Sequence, residues 1–241
     1  MKGGVAMLVR EYMTPDPIGV SEDKSILETA ELMKKHKVRR FPVLRDDRLI
    51  GIVTDRDLRS AAPSQVVSFD SQERELMPEL HSLLSGITVK EVMSREVITI
   101  QPEQTIVAAA QLMLKHRMSG IPVTDTTGKL LGILTETDIF KVLVDLSGVS
   151  SGRTTYAFQL EDRAGSIKEV TDVVRRHGGL VASIQTSHTL ADPGWRRVYI
   201  RVGELSSEKL PALEKELRSQ ADLLYVIEDD GAAAAPSVTG S

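Results

Sequence analysis

The chain has 241 residues, 41% hydrophobic and 27% charged, a balance that excludes a wholly disordered or fibrous polymer and leaves room for two or three small domains. Lys and Arg number 30 against 34 Asp and Glu, so the basic footprint of a dedicated nucleic-acid binder is missing and no nucleic-acid partner is expected. There is no cysteine, which removes disulfides, thiolate nucleophiles and Cys-containing zinc sites; with no leader-like or membrane-spanning run either, a cytoplasmic protein away from the membrane is expected.

Residues 9–59 align with residues 89–140 at an offset of 80, rising to 81 after Gly128, so the first part of the chain is a tandem duplication. Met13/Met93, Ile26/Ile106, His36/His116, Pro42/Pro122, Gly51/Gly132, Thr54/Thr135 and Asp57/Asp138 are among the identical pairs. Each copy reads as strand, helix, strand, strand, helix. In copy one, residues 17–20 form a short extended run, and Ser25 with Glu28 has the capping-box spacing of a helix that runs to about His36. Ile26, Ala30 and Met33 share one face of it, and Lys34, Lys35, His36 and Lys37 suit the negative end of its dipole. Two β-rich runs, 41–44 and 49–54, flank the charged turn 45–48, and a second helix begins near Asp55. A connector over 61–86 follows, with a helix implied by Leu76, Leu80, Leu83 and Leu84. Copy two predicts strands near 97–100, 121–124 and 130–135, with Gly128 in the hairpin turn.

Residues 147–153 are Gly- and Ser-rich and read as a hinge, after which the repeat stops. Tyr156, Phe158 and Leu160 alternate as in a half-buried strand; Ser166 with Glu169 again has capping-box spacing, leading a helix with Ile167, Val170, Val173 and Val174 on its apolar face. Strands over 180–186, 197–202 and 223–227, with a helix over 208–218 before the last, complete βαββαβ, a ferredoxin-like arrangement. Residues 229–241 are small and polar, and a disordered tail is expected.

Gly51-Ile-Val-Thr-Asp-Arg-Asp57 and Gly132-Ile-Leu-Thr-Glu-Thr-Asp138, with Arg-Phe-Pro-Val at 40–43 and Gly-Ile-Pro-Val at 120–123, make the duplicated part resemble a pair of CBS domains, a Bateman module. Glu161-Asp-Arg-Ala-Gly-Ser-Ile167 makes the third unit resemble an ACT domain, although Ala164 stands where that family usually has Pro. The order is similar to the bacterial acetoin-utilisation CBS/ACT proteins. The expected fold is therefore α/β (α+β): CBS domains over 8–60 and 87–146, each β-α-β-β-α, then an ACT domain over 153–228.

In the Gly-x-x-Thr-x-x-Asp stretch, a hydroxyl ends a strand and a carboxylate enters the next helix, beside backbone N–H groups that favour phosphate. Thr54 or Thr135 can donate to a phosphate while Asp57 or Asp138 accepts from a ribose diol, the roles that the CBS resemblance implies. The bland alternative is that Thr ends the strand and Asp caps the helix. The resemblance further implies that Arg40, Phe41 and Pro42, with Thr14 and Ile18, hold a base in copy one, and that Gly120, Ile121 and Pro122, with Ser94 and Ile98, do so in copy two. Phe41 and Ile121 are expected to serve the core as well. Copy one has Arg39, Arg40, Arg56 and Arg59 where copy two has Ser119, Gly120, Thr137 and Phe140, which predicts ATP or ADP at the first site. The second, with Gly120 and Glu136, then suits AMP, adenosine or S-adenosylmethionine. In ACT domains amino acids bind at the turn that here comprises Asp162, Arg163, Ala164, Gly165 and Ser166; the alternative is a unit that only dimerises.

The five histidines, His36, His81, His116, His177 and His188, have no paired-ligand spacing, and neither a nucleophile elbow nor a Gly-x-x-x-x-Gly-Lys loop occurs, so neither a metal centre nor an enzyme is expected. The resulting expectation is a homodimeric regulatory protein that binds an adenosine-type nucleotide, senses an amino acid or dimerises through its third unit, and acts on an unidentified target protein. A scaffold with vestigial nucleotide sites and an enzyme that turns over the nucleotide are the rival expectations.

Overall fold

The computed structural model describes residues 7–61, 84–203 and 205–228, and within them both copies of the repeat build the same hairpin flanked by helices. The expected linker helix, apart from Leu84, and the expected tail lie outside the described residues. Copy one runs α1 (Val9–Tyr12), β1 (Thr14–Pro15), β2 (Val20–Ser21), α2 (Ile26–His36), β3 (Arg40–Arg45), β4 (Arg48–Thr54) and α3 (Asp55–Ala61). Copy two runs α4 (Val89–Val92), α5 (Ile106–His116), β5 (Gly120–Thr124), β6 (Leu130–Thr135) and α6 (Glu136–Leu146).

Ser25 caps α2 as its spacing predicts: its hydroxyl accepts the Glu28 N–H at 3.2 Å, and the Glu28 carboxylate accepts the Ser25 N–H at 3.1 Å. Asp46 and Asp47, at φ 49° and 62°, give the β3–β4 hairpin a left-handed two-residue turn that matches the twist of its strands. Met33 and Met113 are buried at matching core positions.

The first strand of each copy is shorter than expected. In copy one only Val20 and Ser21 pair, parallel to Val43 and Leu44 of β3; in copy two the run 97–100 reduces to a single bridge between Ile100 and Val123. Pro17 and Pro102 border these runs and lack the N–H that a longer ladder would need. The backbone just beyond is committed elsewhere, because each copy's lead-in helix docks on the other copy. Val9 and Arg10 of α1 donate to the carbonyls of Gln104 and Pro102 at 2.8 and 3.1 Å, and Val89 and Lys90 of α4 donate to Lys24 and Glu22 at 2.8 and 2.9 Å. Ile106 and Ile26 return the bond, donating to Met7 and Ile87, both at 3.0 Å.

Strand pairing follows the same exchange. β1 joins the copy-two sheet, with Thr14 opposite Ile133 and Pro15 opposite Gly132, while Ser94 and Ile52 exchange two N–H···O bonds of 2.9 Å. Val89 and Met93 accordingly pack in the core of copy one with Phe41, Val43, Val53 and Leu58. A Cβ on Gly51 would collide with Met93, and one on Gly132 with Met13, so both repeat glycines give room to the other copy's methionine.

The chain divides into two units between Ile139 and Phe140. In the second unit β7 (Thr154–Glu161), α7 (Ser166–Arg176), β8 (Leu180–Ser187), β9 (Trp195–Gly203), α8 (Leu210–Gln220) and β10 (Asp222–Glu228) form an antiparallel sheet in the order β10-β7-β9-β8. This is the ferredoxin-like order that the βαββαβ pattern predicts. Tyr156, Phe158, Val198 and Ile200 pack on Val173 and Val174 of α7 and Leu213 and Leu217 of α8, so both helices lie on one sheet face. Residues 147–153 are more firmly held than a free hinge: the Ser147 carbonyl accepts from the Ser183 hydroxyl at 2.7 Å, and Arg201 donates to the Gly152 carbonyl at 3.0 Å.

Replacing Gly51 or Gly132 by valine drives a side chain into the opposing methionine and should lower stability by about 1–3 kcal/mol each, measured as a reduced urea midpoint. Capping hydrogen bonds from Ser25 and Thr88 hold Glu28 and Glu91 below the ordinary value of 4.5, and the Arg163 and His177 side chains do the same for Glu169 and Glu216. Carboxylates depressed in the folded state stabilise it above 4.5, and that stabilisation is lost as the pH falls through their lower folded values. The melting temperature should therefore fall steeply only below pH 4.5, and Glu28→Gln should reduce that acid sensitivity.

Candidate functional site

Thr54 closes β4 and Asp57 lies in the first turn of α3. The Thr54 hydroxyl accepts the Asp57 N–H at 3.4 Å, and Asp57 Oδ2 accepts both the Thr54 N–H at 2.8 Å and its hydroxyl at 2.7 Å. Copy two repeats this between Thr135 and Asp138 at 3.4, 3.0 and 2.6 Å. Each motif is thus a Thr-x-x-Asp capping box that leaves a half-buried carboxylate, an obligate acceptor, at the junction of strand and helix.

The exchange of lead-in segments changes which residues surround each motif. Thr14, expected beside Arg40, Phe41 and Pro42, pairs instead with β6 of copy two, and Ser94, expected beside Gly120, Ile121 and Pro122, pairs with β4 of copy one. Ser94 also lines an open groove of about 860 Å³ with Lys90, Met93 and Arg95. Arg95 carries no signal in the sequence, because its counterpart is Pro15 and nothing in the repeat says which copy it will face. Ile18 is exposed and Ile98 half-buried. Phe41 and Ile121, at 2% and 0% exposure, are core side chains with no face open to a base, and Pro42 and Pro122 are buried in their strands beside them.

The four arginines of copy one do not form one cluster. Arg59 is ion-paired with Asp55, and Arg39 and Arg56 are exposed. Arg40 is half-buried and crosses to copy two, where it donates to the Gly120 carbonyl at 3.4 Å and to the Ser119 hydroxyl. Burial holds its guanidinium below the ordinary value, opposed by the nearby Glu136 carboxylate.

In the second unit, the expected capping box at Ser166 and Glu169 does not form. Gly165, at φ 90°, takes the N-cap position, Ser166 becomes the first helical residue, and Glu169 is clamped by Arg163 through two 2.8 Å bonds. A full charge two residues ahead of the glycine outcompetes a hydroxyl for that carboxylate. Arg196 of β9, which the sequence alone did not single out, braces the turn 162–166: it donates to Ser166 Oγ at 2.9 Å and to the Arg163 carbonyl at 3.2 Å, with Asp162 at 3.5 Å. His188 meets the other Asp162 oxygen at 3.1 Å, and Ala164 is exposed.

The CBS domain pattern matches residues 9–64 and 89–145. A CBS domain-containing protein of Dictyostelium discoideum, DDB_G0289609, is 30% identical over 139 residues, which cover 57% of this chain and 92% of that one. The chain belongs to the CBS-domain family. Solved structures similar to this CBS pair include CBSX2 of Arabidopsis thaliana in complex with AMP, 26% identical over 58% of this chain and 98% of that one, with a TM-score of 0.47. Another is a Vibrio cholerae chain described as an acetoin utilisation protein, 25% identical over 61% of this chain and 96% of that one, with a TM-score of 0.49.

The tandem CBS domains therefore juxtapose two equivalent strand-to-helix junctions, each bearing a hydroxyl and a carboxylate and each bordered by the other domain's lead-in segment. Among the described residues no helix is long and apolar enough to cross a membrane, and no group of three or more metal-ligating side chains converges. Thr54→Ala and Thr135→Ala each remove one helix cap and should each lower stability by about 1 kcal/mol in denaturant titrations.

Proposed function

We propose that the CBS pair is a non-catalytic regulatory module of a cytoplasmic protein and binds an adenosine-type nucleotide, with AMP, ADP, ATP and S-adenosylmethionine as the candidate ligands. The duplicated Thr-Asp junction carries this reading: the same hydroxyl and carboxylate recur at Thr54/Asp57 and Thr135/Asp138, each next to backbone supplied by the other domain. A carboxylate that accepts two hydrogen bonds from Thr can exchange the hydroxyl for a ribose diol, which frees that hydroxyl to donate to a phosphate. A ligand that touches residues of both domains favours one arrangement of the pair over others, and that difference in affinity is the regulatory signal.

The third unit, taken as an ACT domain over 153–228, would sense an amino acid at Asp162, Ala164, Gly165 and Ser166 or provide a dimer contact. Its topology and the Gly165 turn support this reading, and the exposed Leu180 and Ile184 on the edge strand β8 support a homodimer. The closure of each Thr on its own Asp favours a second reading, in which the junctions are structural caps and the protein is a scaffold for an unidentified partner.

Thermal denaturation with each nucleotide separates the two readings, since a ligand at 100 times its Kd should add about 2.7 kcal/mol of stability. Stabilisation by an adenine compound that is reduced in Asp57→Ala or Asp138→Ala is the expected result. No stabilisation by any of them would leave the scaffold.

A further inference from the structure

Arg40 is the point at which the two CBS domains stop being equivalent. Its backbone lies opposite Thr54 in the β3–β4 ladder, yet its guanidinium rests on Ser119 and Gly120, and Gly120 lies opposite Thr135 in the β5–β6 ladder. A Cβ built on Gly120 would sit 3.6 Å from the Thr135 methyl and 3.7 Å from Arg40 Nη1, so the guanidinium stands next to the copy-two junction, with the Glu136 carboxylate nearby. The reciprocal arm does not exist, because the position equivalent to Arg40 is Gly120 itself.

We infer that Arg40, although part of the first CBS domain, is the phosphate-reading residue of the second, and gives the Thr135/Asp138 junction a preference for phosphorylated over unphosphorylated adenosine ligands. The inference rests on the nucleotide-binding reading above. The partners that Arg40 now holds are a carbonyl and a hydroxyl, both neutral, so a phosphate oxygen offers a stronger charge-assisted bond at the same place. A guanidinium already half-withdrawn from water loses less hydration on taking that partner than an exposed one would. The first domain's own junction has only the glycine backbone in the equivalent place.

Calorimetric titration of the full chain with AMP and with adenosine tests the assignment. Arg40→Ala should weaken AMP by about tenfold or more while changing adenosine by less than about threefold, and Arg40→Lys, which keeps the charge, should retain most of the preference. The loss should persist in an Asp57→Ala background and vanish in an Asp138→Ala background. A loss that instead persists in Asp138→Ala and vanishes in Asp57→Ala returns Arg40 to the first domain and overturns the inference, as does an equal loss for AMP and adenosine. Binding of neither compound by the unaltered protein sinks the nucleotide reading itself, and is distinguishable because adenosine binding does not require Arg40. Moving the cation, with Arg40→Gly and Gly120→Arg combined, should carry the AMP preference to the Asp57-dependent junction.

Discussion

The hydrogen bonds from Val9 and Arg10 to one copy, and from Val89 and Lys90 to the other, tie each lead-in helix to the domain it does not precede. A short helix such as α1 or α4 has no stability of its own in water, so it is ordered only where those bonds and the burial of Val9 and Val89 hold it. Neither domain then has a complete core alone: Val89 and Met93 are as much part of copy one as Phe41 or Leu58. The glycine in each Gly-x-x-Thr-x-x-Asp stretch also follows from this exchange, since the opposing methionine occupies the space where a side chain would go.

On that symmetric frame a few substitutions create direction. The frame brings residues 39–40 against residues 119–120, and because one side has arginines and the other serine and glycine, a single guanidinium spans both junctions. Had Gly120 been a second arginine, two like charges would have met in a half-buried space, which costs far more than at the surface. The glycine therefore makes room for Arg40 as well as removing a charge.

The second unit reaches a comparable strand-to-helix turn by other means. Its helix lacks a side-chain cap, and Gly165 in the left-handed region, Arg163 clamped between Glu161 and Glu169, and Arg196 across the turn hold the segment in place. Where the CBS junctions use a neutral hydroxyl and one carboxylate, this turn uses interlocking charges on an exposed rim, which are individually worth little but mutually restrict the loop.

Much of this could be read in the residues themselves. The repeat at an offset of 80, the capping box at Ser25, the two hairpins and the βαββαβ order are local signals, set by periodicity and turn chemistry within a few residues, and the structure has them within a residue or two of their expected places. The Thr-Asp pairs were legible for the same reason, because three positions separate the partners. What tertiary structure decided is everything that crosses between copies. A duplicated sequence offers each lead-in segment two equivalent partners, and nothing in Thr14 or Ser94 says which hairpin it will join; only the folded chain shows that each joins the other copy. The direction of Arg40, the significance of Arg95 and the bracing of the 162–166 turn by Arg196 depend on long-range neighbours in the same way. Sequence alone determined the parts and their chemistry, because local backbone physics is written residue by residue. Their grouping into sites belongs to packing, which contacts distant in the chain decide.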